Sequence, residues 1–152
     1  MANQKRLDVV YLKMAYEWGK LSCAKRKQVG CLIVSNSQII SDGFNGTPAG
    51  FNNNCEDEEG ETKREVLHAE TNAIAKISKS TQSSEGSTMY TTLSPCFDCS
   101  KLIIQAGITR VVYGEKYHDF DGVTFLKKFG IKVEYLNFRG IPTHHLVEDY
   151  IL

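Results

Sequence analysis

The sequence predicts an α/β protein, a three-layer α-β-α arrangement with a central mixed sheet of about five strands. Two observations carry this. An apolar hairpin pattern over residues 29–44 is followed by helical and strand patterns that alternate as far as residue 135. Gly107 and Gly130 fall where a helical pattern gives way to a β-branched run, as helix stops do. At 152 residues, 41% hydrophobic and 24% charged, the chain suits one domain over residues 1–152.

Residues 6–24 place Val9, Val10, Leu12, Tyr16, Trp18 and Leu21 on one wide apolar helical face. The basic cluster Lys25-Arg26-Lys27 follows, as a solvated connection or as a phosphate contact. Val29-Gly30-Cys31-Leu32-Ile33-Val34 and Ile39-Ile40-Ser41-Asp42-Gly43-Phe44 form an antiparallel hairpin about the turn Ser35-Asn36-Ser37-Gln38. The stretch Gly43-Phe44-Asn45-Gly46-Thr47-Pro48-Ala49-Gly50 is irregular backbone, either a hairpin exit or a loop that approaches a ligand closely. Residues 52–63, with Glu56, Asp57, Glu58, Glu59 and Glu61, read as a mobile surface loop. The second helix covers residues 66–79 with Leu67, Ala73, Ile74 and Ile77 on one face. Residues 80–87 form a loop and residues 88–93 a strand. Pro95 opens a third helix that runs to residue 106. Residues 110–114 are a strand, 121–129 a short helix, 131–135 a further strand and 144–152 a C-terminal helix. No internal repeat, low-complexity tract or linker interrupts this order.

Bulk properties exclude several classes. No apolar run approaches the roughly 20 residues of a membrane span. The polar start Met1-Ala2-Asn3-Gln4-Lys5-Arg6 carries no export pattern, so a cytoplasmic protein is expected. Five cysteines, two of them in a C-x-x-C, then favour metal binding over a disulfide framework. A formal net charge of zero favours a small substrate over a nucleic-acid polymer, whose phosphates attract a basic excess.

The chemistry concentrates in His68-Ala69-Glu70 and Pro95-Cys96-Phe97-Asp98-Cys99, both at helix starts. His68, Cys96 and Cys99 are good zinc ligands, and three protein ligands leave a fourth position open for water. Helix N-termini favour anions, so the two thiols should ionise readily, and their i, i+3 spacing puts both sulfurs on one face. Glu70 is then placed to move a proton as base and acid. Taken alone, the C-x-x-C also suits a structural zinc or a redox pair. A structural site would need a fourth ligand, for which Cys23, Cys31 and Cys55 are available.

These motifs resemble the H-x-E…P-C-x-x-C signature of the zinc-dependent cytidine deaminase superfamily, and the chain is most similar to its deoxycytidylate (dCMP) deaminases. The likeness extends through Gln28-Val29-Gly30, Gly43-Phe44-Asn45-Gly46-Thr47-Pro48, His68-Ala69-Glu70-Thr71-Asn72-Ala73-Ile74, Met89-Tyr90, Lys101-Leu102-Ile103-Ile104-Gln105-Ala106-Gly107-Ile108 and Lys116-Tyr117-His118-Asp119. It implies the cytidine-deaminase-like fold and hydrolytic deamination of dCMP to dUMP, which supplies dUMP for thymidylate synthesis. It implies one catalytic Zn²⁺ per subunit, with Glu70 moving the water proton to N3 and to the leaving amine. By the same resemblance the Ala69 N–H holds the base carbonyl and the Ser94 carbonyl accepts from the amino group. Asn45 touches the sugar hydroxyl and Tyr117 stacks on the base. Lys25, Arg26, Lys76 and Lys79 are the candidates for the 5′-phosphate. A homohexamer is implied too, with dCTP activating together with Mg²⁺ and dTTP inhibiting through the loop Gly43, Phe44, Asn45, Gly46 and Thr47.

The sequence departs from the family at Phe44, where a tyrosine is usual. It also departs at the short, histidine-free interval between Cys55 and His68, which argues against the extra structural zinc of some relatives. His144-His145 reads as a surface pair. Two rivals stay open. One is a tRNA adenosine deaminase, or a free-base or pterin-like deaminase, of the same superfamily. The other is a non-catalytic nucleotide-binding module that keeps zinc for structure.

Overall fold

The computed structural model describes residues 3–137. Within them lie α1 (Gln4–Gly19), β1 (Gly30–Ser35), β2 (Gln38–Phe44), α2 (Ala69–Ile77), β3 (Thr88–Leu93), α3 (Phe97–Gln105), β4 (Arg110–Glu115), α4 (Asp121–Lys128) and β5 (Lys132–Tyr135). The expected helix at 144–152 and the pair His144-His145 lie outside the described residues.

The strands form one mixed sheet in the order β2-β1-β3-β4-β5. β1 pairs antiparallel with both β2 and β3, while β3, β4 and β5 run parallel. Asn36 and Ser37 close the β1–β2 hairpin at φ 50° and 60°, the paired left-handed geometry that matches strand twist in a two-residue turn. Side chains alternate across the sheet as a pleat requires. Leu32, Val34, Tyr90 and Val112 pack with Leu12 and Ala15 of α1 on one face. Cys31, Ile33, Met89 and Val111 pack on the other with Ala69 and Ala73 of α2, Ile103 of α3 and Leu126 of α4. This is the predicted three-layer fold.

Two helices are shorter than their sequence patterns. α1 ends at Gly19 rather than near Ala24, because the next residues are drawn across to the β2 exit. There the buried Ser22 donates its hydroxyl to the Asn45 carbonyl at 2.7 Å. α2 begins at Ala69 rather than Val66, since Leu67 exchanges both backbone hydrogen bonds with Gly46 and is held extended. His68 therefore becomes the helix cap. The loop at 52–63 is also more tied down than its polarity implies: Cys55 and Glu56 are buried, and Glu56 is hydrogen-bonded to residues 25 and 26.

A polar cluster ties α1 to the sheet. The buried Asp8 receives Arg110 through both guanidinium nitrogens at 2.8 and 2.7 Å and the Tyr90 hydroxyl at 2.6 Å. Burial raises the Asp8 pKa, but the hydrogen bonds from Arg110, Tyr90 and Gln4 outweigh it and hold the carboxyl below its ordinary 3.8. Its contribution is thus present above that value and lost as acid titrates through the lower folded value. Asp8→Ala, which takes the acceptor from the Tyr90 hydroxyl and leaves Arg110 with Glu134 alone, is expected to cost about 1.5–3 kcal/mol in a denaturant titration at pH 7. The difference from the parent should shrink below pH ~3.8.

Candidate active site

The parallel strands β3 and β4 end on the same side, and the chain turns there into α3 and into the segment 116–120. The α2 N-terminus arrives at this edge from the neighbouring layer, as expected for a ligand site at the carboxyl ends of parallel strands. A cavity of about 440 Å³ opens here.

His68 caps α2 at φ −70°, ψ 158° and spends no side-chain bond on the cap, which leaves its ring free to face the cysteines. Cys96 caps α3 and its Sγ accepts from the Cys99 N–H at 3.5 Å. His68 Nδ1 stands 3.5 Å from Cys96 Sγ and 3.4 Å from Cys99 Sγ. Ligation of a tetrahedral zinc, with nitrogen at ~2.05 Å and sulfur at ~2.3 Å, separates those atoms by about 3.6 Å. The three donors thus fit a zinc ion without rearrangement. Among the described residues they are also the one cluster of histidine, cysteine or acidic groups whose ligand atoms all lie within 4.8 Å. Cys31 and Cys55 stay buried elsewhere and Cys23 is exposed.

The electrostatics suit a cation. The hydrogen bond from Cys99, with help from His68, lowers the Cys96 thiol to about 4. The same pairing with Cys96, together with burial, pushes Cys99 up. Hydrogen bonding to Cys96 raises His68. A zinc ion would replace these protons. Glu70, only 4% exposed, lies behind the cluster and accepts from Cys99 Sγ at 3.8 Å. Burial raises its carboxyl pKa, which suits a group that both takes up and gives back a proton.

Two glycines make the geometry possible. Gly122, at the start of α4, lies directly on the carbonyls of Pro95 and Cys96, where any Cβ would collide with main chain. Gly43 likewise lets β2 approach the α2 backbone at Ala69 and Ala73. Nothing local in the sequence marks the first role.

Ala69, Ser94, Asn45 and Tyr117 all line the cavity with His68, Glu70 and Cys96. The Ser94 hydroxyl accepts from the Tyr117 N–H at 2.7 Å and so fixes the start of that segment. Asn45 is bound to main chain at both ends of its amide: Oδ1 accepts from Val29 N–H at 2.9 Å and Nδ2 donates to the Lys27 carbonyl at 2.8 Å. Of the cations considered for phosphate, only Arg26 lines the cavity. Lys76 lies outside the lining and is paired with Asp42, while Arg26 is paired with Glu61 and Lys27 with Glu115. Lys79 follows the far end of α2, about a helix length (roughly 13 Å) from His68, and takes no part in the site. Lys27 and Lys116 do line it. Lys27 ends the basic triplet and Lys116 adjoins Tyr117, and nothing local in the sequence distinguishes either from the cations beside it. Glu56 and His118 also line it, unforeseen.

In the loop at residues 43–47, Gly46 is bridged to Leu67, and the Phe44 carbonyl accepts from Asn72 Nδ2 at 2.7 Å. Thr47 instead faces a second cavity with Lys63 and Arg64.

The family model for the cytidine and deoxycytidylate deaminase zinc-binding region matches residues 5–115. The deoxycytidylate deaminase of Saccharomyces cerevisiae is 32% identical over 145 residues, covering 89% of this chain and 46% of that protein. The chain therefore spans about half of the yeast protein's length. The deoxycytidylate deaminase of Homo sapiens is 37% identical over 127 residues, covering 75% of this chain and 68% of that protein. The crystal structure of dCMP deaminase from the cyanophage S-TIM5, in complex with dCMP and dUMP, matches with a TM-score of 0.86 and 43% identity. That match covers 89% of this chain and all of the phage chain.

Proposed function

The chain belongs to the cytidine and deoxycytidylate deaminase family, and we propose that it hydrolyses dCMP to dUMP and ammonia at the site formed by His68, Glu70, Cys96 and Cys99. The observation that carries this is the junction of three zinc-spaced donors with a buried carboxylate in one nucleotide-sized cavity. The relatives named above supply the substrate.

A zinc ion held by His68, Cys96 and Cys99 would supply a Lewis acid that lowers the pKa of water toward about 7. Glu70 takes one proton from the attacking water and passes it to N3, then takes the proton left on the new C4 hydroxyl and gives it to the departing amine as the C4–N bond breaks, so that water and dCMP give dUMP and ammonia in balance. The Ala69 N–H, at the first turn of α2, holds the base carbonyl, and the Ser94 carbonyl accepts from the amino group. Tyr117 gives an aromatic face to the base. Asn45 lies at the sugar end. Arg26, Lys27 and Lys116 line the mouth and suit a 5′-phosphate.

The finer parts of the reading rest on narrower support. Val10, Met14, Trp18 and Leu21 leave an exposed apolar stripe along and just beyond α1, which supports assembly into a homo-oligomer, a hexamer by resemblance. The second cavity at Thr47, with Lys63 and Arg64, supports control by dCTP with Mg²⁺ and by dTTP. Thiolate ligands suit a reducing compartment, in keeping with a cytoplasmic enzyme. Among the described residues no helix is long and apolar enough to cross a membrane.

A substrate panel tests the proposal. Ammonia release from dCMP should exceed that from deoxycytidine by about 100-fold in kcat/KM, the worth of charge-assisted bonds to the phosphate. Arg26→Ala should cost about tenfold on dCMP and nothing on deoxycytidine. Activity confined to an adenosine-containing tRNA stem-loop would favour the related nucleic-acid deaminases and overturn the proposal.

A further inference from the structure

We propose that Glu56 is a specificity-determining residue that reads the sugar of the substrate by accepting a hydrogen bond from its 3′-hydroxyl. The inference rests on the dCMP reading above.

Glu56 sits in the acidic stretch 56–61, yet unlike its neighbours it is turned inward, 5% exposed, and lines the same cavity as His68, Ala69 and Glu70. Its two oxygens have different fates. Oε1 accepts from the backbone N–H groups of Lys25 and Arg26 at 2.8 and 3.1 Å. Oε2 is buried and, among the described residues, has no hydrogen-bond partner. A buried carboxylate oxygen without a donor is costly, and such orphans call for an explanation. Here the side chain cannot relax away from the cavity, because Oε1 is clamped to a rigid pair of amides. Its flanks are also fixed: residue 56 bridges to Thr62, and Asp57 accepts from the N–H groups of Glu59 and Glu61.

The ligand must therefore bring a donor, and dCMP offers few. The amino group belongs at the zinc end beside Glu70. The phosphate accepts only and is matched by Arg26, Lys27 and Lys116. The 3′-hydroxyl is the one donor that remains, and Glu56 and Asn45 both line the cavity. Asn45 is already bonded to Val29 and Lys27, so its amide has one hydrogen left, whereas Glu56 has a whole unpaired oxygen. The clamp on residues 25 and 26 has a second effect. The carboxylate that reads the sugar also sets the backbone that carries Arg26 and Lys27 toward the phosphate.

The test compares dCMP with 2′,3′-dideoxy-CMP on wild-type protein and on Glu56→Gln. The amide oxygen of glutamine can still accept from residues 25 and 26, and thermal melting confirms the fold. Wild type should lose about 10- to 100-fold in kcat/KM when the hydroxyl is removed, the worth of one hydrogen bond to a charged group. The variant should lose no more than about threefold on the same change. Equal turnover of the two nucleotides by wild type overturns the proposal, whatever the variant does. So does an equal penalty in wild type and variant. Both outcomes leave the dCMP reading intact; failure to deaminate either nucleotide would overturn both.

Discussion

Replacing Glu70 with glutamine is expected to leave the protein folded and zinc-binding while turnover of dCMP falls by roughly 10³- to 10⁴-fold. The size follows from the work assigned to one side chain. In the proposed mechanism the same carboxylate serves the water, N3 and the leaving amine in succession, and the described part of the cavity offers no second carboxylate beside the His68, Cys96 and Cys99 donors to take over. Glu56 lines the cavity too, but its Oε1 is committed to the backbone of residues 25 and 26. Glutamine keeps the volume of a residue that is 4% exposed, so cavity formation does not confuse the result. It cannot carry a proton. Zinc content measured on the same sample separates loss of proton transfer from loss of metal. Undiminished turnover would remove Glu70 from its role as proton carrier.

The second large effect concerns the metal donors. Cys99→Ala is expected to lower zinc content from one per chain to near zero and to abolish turnover, because two remaining donors cannot hold the ion as three do. The loss should reach stability as well. Cys99 is 2% exposed, touches Thr71 Oγ1 at 3.6 Å, and joins α3 to α2 through His68. Metal binding to donors on separate helices contributes directly to folding, so the melting temperature of the parent should fall on chelation. That of the variant should not respond to chelator. Cys31→Ala offers the control. Cys31 is buried against the sheet core rather than near the cluster, so that variant should keep its zinc while losing some stability.

How much of this was legible in the chain depends on how local each signal is. The strands, the hairpin turn and the helix stops at Gly107 and Gly130 come from short-range backbone preferences, and they appear where the sequence placed them. The zinc donors were legible for a similar reason, since two short motifs each contain their own spacing. What the sequence misplaced depends on contacts between distant segments. The start of α2 moves because Gly46 captures the backbone of Leu67 across 21 residues, and no helical periodicity encodes that. Lys79 was a reasonable cation by composition, but a helix that begins at the site ends far from it. Lys116 was overlooked beside a recognised tyrosine. Glu56 belongs to a polar stretch that reads as a mobile surface loop, and its inward turn depends on amides at residues 25 and 26 that only the folded chain brings near. Gly122 has no local signature, because the surface it must clear is the carbonyl pair of another helix start.

The central claim is tested most directly by returning zinc to protein stripped of metal and following dUMP and ammonia formed from dCMP in the same samples. Both products should appear in a one-to-one ratio, rise together with zinc, and level off at one ion per chain. Conversion by the stripped protein equal to that of the loaded one, or none from dCMP with the site filled, would contradict the account.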